Sequence, residues 1–203
     1  MQAAQHEPIV IVFPGFTRTA DRLNIFVGEV QRNGFDCTAI TLAPTFFPML
    51  YMDKRHLRSI TRRITVTFPD RPLVLVGHSA GAAAATFIAS ELQKGGADLA
   101  GLIYADGVDS PNHLITRYLP RLQGVSVRAV LAPPSACNRH SRLEKYLGTQ
   151  PQVEVRVIPG AGHGDIEGAG IPVYQKMCRD ESTVAVAQEF RRALIDDISA
   201  TCA

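Results

Sequence analysis

The tightest constraint on this chain is a short passage near its middle. Leu73-Val74-Leu75-Val76 runs straight into Gly77-His78-Ser79-Ala80-Gly81, and four alanines, Ala82 to Ala85, follow. Four consecutive apolar residues bounded by turn signals read as a strand buried on both faces. The two glycines remove the Cβ atoms that a sharp strand-to-helix turn would force together. The alanines allow the following helix to pack closely on its strand. A strand of this kind needs a covering layer on each side, so the passage predicts an α/β architecture.

The rest of the chain repeats the pattern. Apolar runs at Pro8 to Phe13, Asp36 to Leu42, Leu73 to Val76, Leu99 to Ala105, Val125 to Leu131 and Val153 to Ile158 alternate with amphipathic stretches. Helices are expected at about Asp21 to Asn33, Lys54 to Phe68, Ala80 to Lys94, Asn112 to Leu122, Ser141 to Leu147 and Thr183 to Ser199. Ala43 to Met52, broken by Pro44 and Pro48, reads as an irregular loop. Six strands alternating with helices predict a mostly parallel sheet with helices on both faces. Ligands then belong at the carboxyl ends of the strands.

Composition narrows the function. The 203 residues fit one domain, 1–203, with 46% apolar and 20% charged residues. A net charge of +2 gives no case for nucleic acid or an anionic membrane. No run approaches a transmembrane helix, and Ile9 to Phe13 is too short for a signal-peptide core, so a cytoplasmic monomer or homodimer is expected. Cys37, Cys137, Cys178 and Cys202 have no metal-ligand spacing and read as four reduced thiols, with a Cys178–Cys202 bridge as the alternative. No metal site is expected.

The strand ends carry the chemistry. In G-x-S-x-G the serine sits on a strained elbow with its hydroxyl above the sheet, so Ser79 is the candidate nucleophile. Its base should follow it in the chain. His163, in Gly160-Ala161-Gly162-His163-Gly164, stands after the last core strand in a glycine-rich loop, read as a mobile, exposed imidazole. His6, His56, His78, His113 and His140 read as solvated or packed. The loop after the fifth run, Ala132 to Arg139, holds no carboxylate, so the acid should come from Asp106-Gly107-Val108-Asp109. Asp106 is first off the strand, Asp109 is the fallback or a helix cap, and Asn138 is a weaker orienting group. Asp165 and Glu167 read as a solvated turn. An oxyanion hole needs two N–H donors, assigned to Ala80 and to Phe16, with Thr17 as second choice.

These segments, with Phe13-Pro14-Gly15-Phe16, make the chain resemble the α/β-hydrolase superfamily over essentially its whole length. The commoner family pattern places the acid after the next strand. The Asp106 segment is instead similar to that of chlorophyllases, platelet-activating-factor acetylhydrolases and pancreatic-type lipases, which favours Asp106. Pro14 stands where many relatives have the histidine of a His-Gly motif. The resemblance implies a cofactor-free esterase or thioesterase working through an acyl-enzyme. An acyltransferase or lyase on the same triad and a non-enzymatic ligand-binding protein are the alternatives.

Only Gly107 to Gly124 is available where relatives insert a cap, so no cap domain and an open site are expected. That suits a small-molecule ester or a carrier-bound acyl group. Phe46, Phe47 and Met49, with Thr17, are the candidate substrate-binding residues, set in an apolar stretch that reads equally as core packing.

Overall fold

Strand β1 (Ile9–Phe13) is buried at all five positions, and its successive side chains enter two different cores. Ile9, Ile11 and Phe13 pack on one side and Val10 and Val12 on the other, as the period-2 alternation of a strand requires. The computed structural model describes residues 7–203. His6 lies outside the described residues.

Strands β2 (Asp36–Ala39), β3 (Leu73–His78), β4 (Leu99–Ala105), β5 (Ser126–Leu131) and β6 (Val153–Val157) join β1 in one sheet of order β2-β1-β3-β4-β5-β6. Every pairing is parallel. The chain winds outward from β1 to β2, then returns to lay β3 on the other side of β1. The gap above the carboxyl ends of β1 and β3 is therefore the switch point where such sheets hold ligands.

Helices α2 (Lys54–Thr67), α3 (Gly81–Lys94), α4 (Leu114–Tyr118) and α5 (Arg142–Leu147) cover one face. Helices α1 (Asn24–Arg32) and α7 (Val184–Cys202) cover the other. Their local causes are plain. The Asp53 side chain accepts the His56 N–H at 2.7 Å and so caps α2, whose Leu57, Ile60, Thr61 and Ile64 form the buried stripe. In α7, Phe190, Leu194 and Ile198 recur every fourth residue toward the sheet.

Four local expectations change. β2 stops at Ala39, because as an edge strand it pairs with β1 alone. The expected Asn112–Leu122 helix is α4 followed by a 3-10 turn at Leu119–Arg121, where Pro120 interrupts α-helical bonding. Pro48–Met52 forms another 3-10 turn in place of an irregular loop. An additional helix, α6 (Pro172–Cys178), begins on a proline at its first turn. α6 also overturns the reading of four reduced thiols. It brings Cys178 within 5.2 Å (Cα to Cα) of Cys137 across 41 residues of sequence, and the two are bridged; Cys37 and Cys202 are free. Between β4 and β5 the described chain makes only α4 and its 3-10 turn, so no cap covers the strand ends.

Candidate active site

Ser79 leaves β3 with φ of 52°, a left-handed conformation in which a residue bearing a Cβ is strained. The turn holds it there. Its N–H donates to Ala105 C=O at 3.1 Å, and its own C=O accepts from Val108 N–H at 2.9 Å. The flanking glycines are required by contact. A Cβ on Gly77 would lie 2.5 Å from the Ala82 Cα, and one on Gly81 would lie 2.5 Å from the carbonyl oxygens of Phe13 and Pro14.

His163 and Asp106 converge on this serine. His163 Nε2 lies 2.8 Å from Ser79 Oγ, and Nδ1 lies 2.5 Å from Asp106 Oδ2. A carboxylate only accepts, so Nδ1 carries the proton and Nε2 offers a lone pair to the serine hydroxyl. Asp106, itself left-handed at φ 42°, also accepts the Ala132 N–H at 3.1 Å and Asn138 Nδ2 at 3.2 Å. Asn138 thus supports the acid and does not touch the ring. Asp109 stays away from the histidine, accepting the Ile115 and Thr116 N–H groups as the cap of α4.

The oxyanion candidates lie on either side. Gly15 packs so closely that a Cβ there would be 3.0 Å from the Ser79 Cβ, which brings the Phe16 backbone next to the serine. Among the described residues, the N–H groups of Phe16 and Ala80 donate to no protein acceptor. The Thr17 hydroxyl instead donates to Phe16 C=O at 2.6 Å.

Two expectations about the histidine loop are corrected. His163 is buried, not exposed and mobile, and Asp165 and Glu167 are buried rather than solvated. The reason is a polar network that the sequence reading missed. Arg18, from the β1 loop, forks onto Glu167 through Nε at 3.0 and 3.1 Å and through Nη2. The Tyr174 hydroxyl of α6 donates to Glu167 at 2.7 Å, and its ring meets the His163 ring edge-on at 5.7 Å. Burial pushes the Glu167 carboxyl up, but hydrogen bonds from Arg18 and Tyr174, with His78 nearby, outweigh it and hold the group below the ordinary carboxylate range. Asp165 caps the turn by accepting Gly162 N–H at 2.8 Å and the Ser182 hydroxyl at 2.7 Å; burial still pushes its carboxyl up.

His78, read as solvated or packed, is packed into the same network. Its Nε2 donates to His163 C=O at 2.8 Å, which leaves Nδ1 buried without a partner and 3.9 Å from Glu167. Complete burial pushes the His78 pKa down to about 4, so it holds the loop as a neutral ring.

An apolar groove of about 690 Å³ is lined by Phe46, Phe47, Pro48, Met49, Leu50 and Met52. Phe46 is 90% exposed, so this stretch is surface and not core. Tyr51, buried within the same segment, meets the exposed Phe16 ring edge-on at 5.7 Å and links the groove to the β1 loop. Thr17 does not line it.

No protein-family model matches the sequence. A serine hydrolase without lid from Xanthomonas campestris superposes with a TM-score of 0.63 at 14% identity, over 98% of this chain and 84% of that one. The chain has the α/β-hydrolase fold. The RedJ thioesterase of Streptomyces coelicolor shares this hydrolase fold with a TM-score of 0.61 at 11% identity, over 97% and 95% of the two chains. In sequence, an 89-residue stretch is 36% identical to a protein phosphatase methylesterase 1 of Cryptococcus neoformans. That stretch is 40% of the hydrolase-fold chain and only 21% of the fungal protein. No helix among the described residues is long and apolar enough to cross a membrane.

Proposed function

We propose that this protein is a serine hydrolase that cleaves a carboxylic ester or thioester through an acyl-enzyme on Ser79. The observation that carries the reading is the unbroken hydrogen-bonded chain from Ser79 through His163 to Asp106, beside two backbone amides without acceptors. Ser79 Oγ attacks the substrate carbonyl while His163 Nε2 takes its proton. Asp106 holds the ring in the required tautomer and stabilises the imidazolium. The Phe16 and Ala80 amides receive the negative charge that develops on the carbonyl oxygen. His163 returns its proton to the leaving alcohol or thiol, and water then releases the acyl group by the same route. The apolar groove suits the acyl chain. The names of the compared proteins, a methylesterase and a thioesterase, agree with this chemistry.

The test is covalent labelling with a fluorophosphonate, with the adduct mapped by mass spectrometry. Ser79 should carry it, and Ser79→Ala should not. Asp106→Asn should lower kcat by about 10³- to 10⁴-fold, the scale for loss of a triad acid. Folded protein left unlabelled at Ser79 would refute the hydrolase reading. A panel of p-nitrophenyl esters and acyl thioesters ranks chain length. Labelling with no turnover of any of them would favour transfer or elimination over hydrolysis.

A further inference from the structure

The apolar groove has a polar counterpart. Pro111 and Asn112 line the groove, while Ser110 and His113 on either side of them line a second cleft of about 100 Å³. Arg139, Arg142 and Tyr146 form its other wall. Two residues of its lining bond to Ser79 and Asp106. Val108 in its lining donates to Ser79 C=O, and Asn138 donates to Asp106.

The charges in this cleft are unbalanced. Arg139 and Arg142 are exposed, and among the described residues neither has a carboxylate within ion-pair distance. The one acid in the lining, Asp109, is engaged by three backbone N–H groups, of Ser110, Ile115 and Thr116, and by the Thr116 hydroxyl. Two guanidinium groups therefore face a space with no anion of the protein's own to fill it.

The loop that presents them is strained and tightly held. Arg139, His140 and Ser141 are left-handed in succession, with φ of 53°, 53° and 56°. Left-handed residues other than glycine persist only where their surroundings fix them, and such strain gathers at ligand clamps. Here the Asn138 side chain accepts from Ser135 N–H at 2.8 Å and Ser141 N–H at 3.1 Å, and the Cys137–Cys178 bridge anchors the start of the loop. The backbone that carries Arg139 is thus held at the cleft before any ligand arrives, which lowers part of the ordering cost of binding.

We propose that this cleft binds an anionic group of the substrate, a carboxylate or a phosphate, between Arg139 and Arg142. The hydrolase would then act on esters or thioesters with one apolar and one anionic arm, lying on opposite sides of the Pro111–Asn112 ridge. The inference rests on the reading of Ser79 as nucleophile.

Three p-nitrophenyl esters of matched acyl length test it: the neutral valerate, the hemiglutarate with its terminal carboxylate, and the 4-phosphonobutyrate. At low ionic strength at least one charged ester should have the higher kcat/KM, and the better of the two names the anion. Arg139→Gln and Arg142→Gln should each lower the charged-to-neutral ratio about five- to tenfold through KM, the scale for a hydrogen bond to a charged group. The ratio should also fall as salt rises. Arg62→Gln, on the exposed side of α2, controls for net charge and should leave all three rates unchanged. A ratio at or below one in the parent protein, or one that neither arginine substitution moves, overturns the anion site. If Ser79 is still labelled and the valerate still turned over in that case, the hydrolase reading stands. No labelling and no turnover of any ester would overturn both.

Discussion

Removing the Glu167 carboxylate should loosen both sides of the reaction centre at once. Arg18 lies three residues beyond Gly15 in the β1 loop, and Glu167 lies four beyond His163, so their fork ties the oxyanion side to the histidine side. The Glu167 side chain is 1% exposed and that of Arg18 is 17% exposed. Breaking a fully buried pair from one side costs about 3–5 kcal/mol; partial access of Arg18 to water puts Glu167→Gln nearer about 2–4 kcal/mol. At roughly 2–4 °C per kcal/mol for a chain of this length, Tm should fall by about 4–16 °C. At a temperature where the variant stays folded, kcat/KM should fall about 10- to 100-fold, as expected when reacting groups drift by an ångström or less. The pH dependence has a definite sign. Glu167 is held below its unfolded value, so its contribution is complete above that value, about 4.5, and is lost as pH falls through the lower folded value. The parent protein should therefore lose stability on acidification through this range more steeply than Glu167→Gln. A double-mutant cycle with Arg18→Gln, followed by thermal and urea unfolding, isolates the pair. Coupling of about 2 kcal/mol is expected, and coupling below about 0.5 kcal/mol would refute the argument.

Two further outcomes follow from contacts. Thiol titration of the denatured, unreduced protein should find two free cysteines, Cys37 and Cys202, and Cys137→Ser should lower stability by about 2–4 kcal/mol for a loop of this length; four titratable thiols would remove the bridge. Gly81→Ala should cost about 3 kcal/mol or more and abolish Ser79 labelling, because its Cβ would meet two backbone carbonyls that cannot retreat. Gly28→Ala, which meets only the end of the Arg32 side chain at 3.4 Å, should be near neutral by the same unfolding assay, and equal losses in the two would count against the close-packing account.

Ser79, Asp106 and His163 stand out in the sequence because each is the punctuation of a strand, and the fold brings the three together. Period-2 burial and the glycines around Ser79 and His163 are local signals, and Asp106 followed from the empty position after β5. The support around the triad was not readable in this way. Arg18 and Glu167 are separated by 149 residues, and nothing near either one announces the other. Gly162-His163-Gly164-Asp165 has the composition of an exposed turn. It is buried because α6 folds over it and because Gly164 has room only for hydrogen against the Tyr174 ring, 2.2 Å from where a Cβ would stand. The bridge escaped for the same reason, since Cys137 and Cys178 become neighbours only once α6 is in place. Asn138 reads in sequence as a weaker orienting group for the imidazole, whereas in the fold it donates to Asp106.

The position of β6 at the sheet edge bears on how the protein is born. Three strand spacings of about 4.8 Å separate β6 from β3, so the imidazole must come back across some 14 Å to meet the serine. The six steps from Val157 to His163 span at most about 21 Å, which leaves the segment little slack. During synthesis from the N-terminus, the nucleophile elbow can form once β1, β3 and β4 have paired, yet Ser79 then has no partner for its proton. Only after the far edge has docked does the imidazole reach it. On the proposed reading of Ser79 as nucleophile, the nascent chain carries an unarmed serine on the ribosome, and the order of strand assembly acts as a safety catch that delays reactivity until folding is nearly complete.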